Sequence, residues 1–441
     1  MKQVHGESQE HLEEPFSEEE IKRACFDTDG DKAPGPDGFG LQFYHRLWEM
    51  VRSDVLGVFD DYFDNGTGMG CINASTIVLL KKKEGAVRIE DFMPICLLNG
   101  CYLLLAKVLA NRLRSACEEI IDQSQLAFLP DRSILEGFTI TQELVAALHL
   151  DSRSGVLLKL DFLRAYDNVD FPFLLHLMQL HGFNERWCRM NEQCIGTARA
   201  SITVNGEPFG FFPLNKGLRQ GNPMSPVLFS LVANAFCLMC KAAASEEWIK
   251  GLSICPGCTK IHIAQYTDDT MLFGSPTAPE MEGYRFIIEC FGLLSGLHIN
   301  YSKSALVPIN IDTEAASQLA EVTGCTVEHL PIRHLRLPTR GFDDEVDGLA
   351  TSYRQVGAMF GRLVWTSSKL CRHTRSTSGR DIKSPGVFSI HISDPQGGSP
   401  EDRGDPPTIP VERIWQGAAQ TAHGTMGDGV PSAQQGRIGD P

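Results

Sequence analysis

The stretch Ile261-His262-Ile263-Ala264-Gln265-Tyr266-Thr267-Asp268-Asp269-Thr270-Met271-Leu272-Phe273 decides how this chain is read. Two apolar runs flank a polar centre, the pattern of a β-hairpin with carboxylates at its tip. An Asp-Asp pair is a poor way to make a turn and a good way to hold a divalent cation. Mg²⁺ takes hard oxygen ligands and keeps several waters, so one or two carboxylates plus substrate phosphates are enough. Taken by itself, the stretch reads more simply as a solvated acidic tip.

Two further segments change that balance. Upstream, Val156-Leu157-Leu158-Lys159-Leu160-Asp161-Phe162 is an apolar strand ending on an acid, followed by Leu163-Arg164-Ala165-Tyr166-Asp167. Between the acids lies Lys216-Gly217-Leu218-Arg219-Gln220-Gly221-Asn222-Pro223-Met224-Ser225-Pro226, a Gly- and Pro-rich loop before an apolar helix. Carboxylates from separate strands can converge on one point, which is what an in-line phosphoryl displacement assisted by two metal ions requires.

In this order the three blocks resemble the reverse transcriptase of plant LINE-type (non-LTR) retrotransposons. Its pattern is Asp-Phe-x-Lys-Ala-Tyr-Asp, then Gly-Leu-Arg-Gln-Gly-Asp-Pro-x-Ser-Pro, then Tyr-Ala-Asp-Asp-Thr. The likeness extends to Lys32-Ala33-Pro34-Gly35-Pro36-Asp37-Gly38-Phe39, to Asp91-Phe92-Met93-Pro94-Ile95 and to Ser295-Gly296-Leu297-His298-Ile299-Asn300-Tyr301-Ser302-Lys303-Ser304. It runs from about residue 16 to about residue 370.

The resemblance implies an α+β right-hand polymerase with fingers and palm and a partial helical thumb, and the composition beyond it implies a disordered C-terminal tail. The expected divisions are a polar extension over 1–15, fingers over 16–155, palm over 156–310, a degraded thumb over 311–372 and the tail over 373–441. It implies RNA-directed DNA polymerase activity, with an RNA template, a DNA primer, deoxynucleoside triphosphates and two Mg²⁺ ions. Asp161 and Asp268 are then metal ligands, and Asp269 completes the catalytic triad. Lys82, Lys83, Tyr166, Arg219, Gln220 and Lys303 are implied to contact the nucleotide. Tyr166 would stand under the incoming sugar and reject a 2′-hydroxyl, and Lys303 would protonate the leaving pyrophosphate. Each of these has a plainer reading as a core tyrosine, a helix-leading loop or a solvated lysine.

The chain departs from the family pattern at several points. Met93 stands where an arginine that holds nucleotide phosphates is expected, a bidentate role methionine cannot fill. Asn222 replaces an aspartate, Thr267 an alanine, Leu163 a polar residue and Lys81 a proline. With no endonuclease ahead of residue 1 and no RNase H behind, the expectation is a polyprotein fragment, with a catalytically inactive relic as the alternative.

At 441 residues the chain is long enough for a sizeable core. Its net charge of −15 argues against a generally basic nucleic-acid binder, leaving any grip on nucleic acid to local fields such as Lys81-Lys82-Lys83 or Lys107, Arg112 and Arg114. No membrane span and no signal peptide are read, so an intracellular place and 14 reduced cysteines are expected. Cys237-x-x-Cys240 and Cys255-x-x-Cys258 offer a rival zinc-ribbon reading.

Periodicity predicts helices from a Ser17 cap with Glu20 three residues on, over 41–63, 103–113, 136–148, 225–244 and 282–294, and a buried strand over 76–80. Asn205-Gly206 predicts a tight hairpin. From 376 to 441 there are 11 Gly and 8 Pro in 66 residues, the composition of a segment too poor in apolar surface to fold.

Overall fold

The structure, a computed structural model, describes residues 1–339 except 66–68, 131, 205, 256 and 336. The expected tail and the thumb region beyond 339 lie outside the described residues. The strands are β1 (Ala74–Lys81), β2 (Phe92–Leu98), β3 (Gly155–Leu160), β4 (Arg199–Val204), β5 (Glu207–Pro213), β6 (Ile263–Tyr266), β7 (Asp269–Gly274), β8 (Ala305–Ile309), β9 (Thr326–Val327), β10 (Ile332–His334) and β11 (Leu337–Thr339). They form a four-stranded sheet ordered β2-β1-β4-β5, a five-stranded sheet ordered β6-β7-β3-β8-β9 and the pair β10-β11. Helices and strands are mixed along the chain, an α+β architecture.

The second sheet is built around β3. Its run Val156-Leu157-Leu158 is apolar at every position because both faces are covered. Val156, Leu158 and Leu160 join the main core with Phe236 and Phe291. Leu157 points the other way, onto Leu144, Val145 and Leu148 of the helix Ile134–Leu150, with Phe273 and Val307. Antiparallel partners β7 and β8 flank β3 on either side.

The first sheet joins two distant segments. β1 pairs antiparallel with β2 and parallel with β4, whose Val204↔Glu207 pair closes the hairpin expected at Asn205-Gly206. Residues expected in the palm thus supply two of the strands beside the fingers segment. β1 is not the buried strand expected: Leu79 and Leu80 are exposed, and burial falls away toward its Lys81 end.

The predicted helices form, from one residue longer than expected at Ser225–Ser245 to about ten longer at Gly100–Ile120. By length and apolarity Ser225–Ser245 is able to cross a bilayer, contrary to the expectation that no segment is. It is instead a core helix, with Phe229, Leu231, Val232 and Phe236 all buried. The Glu20 N–H donates to Ser17 Oγ (3.1 Å), but the Glu20 carboxylate is taken by Arg112, whose Nε and Nη2 donate to it at 2.8 and 2.7 Å. Arg112 also lies 4.4 Å over the Phe16 ring. It is buried and paired, so it adds nothing to a basic surface.

Candidate active site

The hairpin expected at 261–273 forms, with its tip displaced by one residue. Tyr266 pairs with Asp269, leaving Thr267-Asp268 as the two-residue turn and Asp269 as the first residue of β7. Two-residue hairpin loops favour positive φ because that twist matches the strands. Thr267 adopts φ 60°, a conformation costly for a β-branched side chain.

Asp161 follows β3 directly. The last antiparallel pair, Leu160↔Thr270, sets it level with Asp269 on the neighbouring strand. Its position is fixed through its own backbone. The Asp161 N–H donates to Ser304 Oγ (3.0 Å), and its C=O accepts from the Asn300 N–H (2.7 Å). The 295–304 block thus holds Asp161 from the β8 side, a role that sequence reading did not assign to Asn300 or Ser304.

Asp161 and Asp268 come together. Although Asp268 is largely exposed as a residue, the surroundings of its carboxyl desolvate it and push its pKa up, and the charge of Asp161 adds to the rise. Neither acid has an ion-pair partner among the described residues. Two hard-oxygen donors without a neutralising cation fit a divalent metal. No three His, Cys, Asp or Glu side chains among the described residues are gathered to hold an ion by themselves. A metal here would complete its shell with water and substrate oxygens, as Mg²⁺ does.

Tyr166 sits beside this pair. Its ring stacks on Phe229 (centroids 4.7 Å apart, 12° between planes), and its hydroxyl is pushed up by burial and then by the nearby Asp268 charge. The 216–226 loop closes against it, with Leu218 N–H donating to Tyr166 O (2.6 Å) and Gly217 N–H to Val169 O (2.8 Å). Gly217 has φ 83°, and a Cβ there would lie 2.4 Å from the Asp167 carbonyl oxygen, so the close approach depends on glycine. The Asp167 carboxyl is pushed up by burial, opposed by the charges of Arg164 and Lys82.

That last effect places Lys82 beside the second-sheet motif, its Nζ also donating to Glu90 O at 3.2 Å. Lys83 instead pairs with Asp91 (2.7 Å). Lys303 is exposed in the turn after Asn300, close in the chain to the groups holding Asp161. Gln220 is half-buried, its carbonyl accepting from Cys96 N–H (2.8 Å) and so tying the loop to β2. Met93 is exposed on β2 opposite Leu80.

Arg219, implied by the resemblance to contact the nucleotide, is turned inward. It is 6% exposed, its guanidinium lies 4.5 Å over the Tyr102 ring, and Nη2 donates to Asn73 Oδ1. Asn73 holds this end of β1 as well, donating to Cys194 O (2.9 Å). Arg219 therefore binds the loop to the protein interior, because its cation has been turned toward an aromatic face and an amide rather than toward solvent.

The zinc-ribbon alternative fails. Cys237 and Cys240 are fully buried in a core helix, and burial pushes both thiols up, which disfavours the thiolate a metal needs. Cys255 and Cys258 are joined to each other, with Cα atoms 5.3 Å apart, so the expectation of uniformly reduced thiols fails at that pair.

The family model described as reverse transcriptase (RNA-dependent DNA polymerase) matches residues 80–327. The chain belongs to that family, as a domain of the non-LTR retrotransposon kind, a family that generally uses divalent metal ions. It is similar to an uncharacterized 149 kDa protein of transposon TX1 from Xenopus laevis, 27% identical over 300 residues, 67% of this chain and 22% of that protein. It is also similar to the Pol polyprotein of the type-2 retrotransposable element R2DM from Drosophila melanogaster, 25% identical over 241 residues, 55% of this chain and 22% of the polyprotein. The chain thus spans about a fifth of the length of each of these relatives. A solved telomerase from Candida albicans, in complex with a fragment of telomeric RNA, aligns at TM-score 0.43 and 13% identity, covering 69% of this chain and 49% of that one.

Proposed function

We propose that this reverse transcriptase domain extends a DNA primer on an RNA template, with Asp161 and Asp268 as the ligands of two Mg²⁺ ions and Asp269 as the third acid. The observation that carries the reading is the strand pairing, which sets Asp161 at the end of β3 beside the β6–β7 turn that bears Asp268. Bound Mg²⁺ supplies charge stabilisation for the attacking 3′-oxygen and the leaving pyrophosphate. Tyr166, braced by Phe229, offers a flat wall for the deoxyribose of the incoming nucleotide. Lys82 and Lys303 provide positive charge for the triphosphate, and Gln220 borders the loop on the template side. Lys83 contributes only if it leaves Asp91.

The plant affiliation and the division into fingers, palm and thumb rest on the quoted motifs, and an intracellular site of action rests on the polar N-terminus. A second reading, an inactive relic that keeps the fold, rests on Met93, since a methionine on β2 offers no charged fork to a phosphate.

Primer extension on a poly-A RNA template with Mg²⁺ tests the proposal. Extension is expected with wild type and absent with Asp268→Ala or with chelator. Wild-type extension at background, in protein that is folded, favours the relic.

A further inference from the structure

Asp268 is presented by a turn that its own residues do not favour, and the reason it holds lies 142 residues away in Gln125. We propose that Gln125 is a positioning residue for the acid hairpin: its side chain holds the left-handed Thr267 and so sets where the Asp268 carboxylate stands. The proposal rests on the reading of Asp268 as a metal ligand.

Gln125 is fully buried. Its Oε1 accepts from the Thr267 N–H (3.4 Å) and from the Ala127 N–H (3.0 Å). Thr267, 7% exposed at φ 60°, has no glycine-like freedom, and such a conformation persists only where the surroundings impose it. The Thr267 amide is buried under the turn, so losing its acceptor would leave an unsatisfied donor there.

Gln125 is itself rigid. Its segment runs beside β6 as a short bridge, Leu126 N–H donating to Gln265 O (2.7 Å) and Gln265 N–H to Ser124 O (2.8 Å). Arg132 donates to the carbonyls of Ile121, Asp122 and Gln125. The Asp122 N–H donates to Asn234 Oδ1 of the core helix (2.8 Å).

The other end of the turn is held from the same side. Gln265 Nε2 donates to Thr270 Oγ1 (3.1 Å), Thr270 Oγ1 to Asp268 O (3.4 Å), and Cys237 Sγ to Gln265 Oε1 (3.2 Å). Gln265 and Thr270 are each 1% exposed. A buried polar bed from three separate chain segments therefore grips the turn on both sides of Asp268. Such networks specify one geometry when satisfied. Within the Gln125 side chain it is the carboxamide oxygen that makes the contacts, accepting from both Thr267 and Ala127.

The test uses Gln125→Leu, which keeps the volume and removes the acceptor, in the full chain. Binding of Mn²⁺, followed by electron paramagnetic resonance, is expected to weaken by about tenfold, the equivalent of one lost hydrogen bond, and Tm to fall because the Thr267 and Ala127 amides lose their acceptor. Thr267→Gly frees the turn from its left-handed cost, so the double variant Gln125→Leu/Thr267→Gly should recover most of the affinity. Wild-type Mn²⁺ affinity in Gln125→Leu, or a loss that Thr267→Gly does not relieve, overturns the proposal. If wild type and Asp268→Ala bind Mn²⁺ equally, the metal reading fails on its own account. Amide hydrogen exchange at Thr267–Asp269 then decides the positioning role: faster exchange in Gln125→Leu supports it, and unchanged exchange overturns it.

Discussion

Replacing Gly217 by alanine should damage this protein far more than the same change at Gly206, although both glycines have positive φ, 83° and 90°. A left-handed conformation costs an L-residue about 1–2 kcal/mol, offset by about 0.4–1 kcal/mol because alanine restricts the unfolded chain. At Gly206 nothing lies within 4 Å of the added Cβ, so that difference, about 0–1.6 kcal/mol, is the whole effect. At Gly217 the Cβ would meet the Asp167 carbonyl oxygen at 2.4 Å, its carbon at 2.7 Å and its Cα at 2.9 Å. Backbone cannot swing aside as a side-chain end can, so an overpacking cost of about 1–3 kcal/mol is added. The expected loss at Gly217 is therefore about 1–4.6 kcal/mol, always about 1–3 kcal/mol above that at Gly206, read as a lower urea midpoint at unchanged slope. The displaced segment carries Tyr166, so KM for the deoxynucleotide should also rise in Gly217→Ala and stay unchanged in Gly206→Ala. Equal stability losses in the two variants would refute the reasoning, since the tight approach of the loop to Asp167 would then count for nothing.

Two further outcomes follow from single side chains. Burial pushes Glu143 from 4.5 up to about 7, so its folded form favours the proton: the site is most stabilising below about pH 4.5 and loses that contribution as pH rises through 7. Glu143→Gln should raise Tm at pH 8 and leave it nearly unchanged at pH 4.5; an equal gain at both pH values would exclude the linkage. Met93→Arg should raise kcat/KM in primer extension by roughly ten- to a hundredfold, the worth of a charged hydrogen bond to phosphate, and the exposed position opposite Leu80 leaves room for the longer side chain. Unchanged efficiency in that variant would place the defect elsewhere in the chain.

Local pattern was enough for much of this protein. The largely apolar run before Asp161 announced a strand ending on an acid, and the apolar flanks of Thr267-Asp268 announced a hairpin, because period and turn chemistry are written in neighbouring residues. Arg219 shows where such reading stops. A basic residue in a glycine-rich loop looks like a hand held out to phosphate, and only the packed chain reveals Tyr102 and Asn73 closing over it. Arg112 and Lys83 are likewise taken by Glu20 and Asp91, partners that charge counting cannot foresee. Gln125 carried no signal at all. Its relation to Thr267 spans 142 residues and exists because a bridge beside β6 brings a buried amide under a turn. Hydrogen-bond partners of that kind are set by which segments share an interior, and that is decided by tertiary packing rather than by any stretch of the sequence.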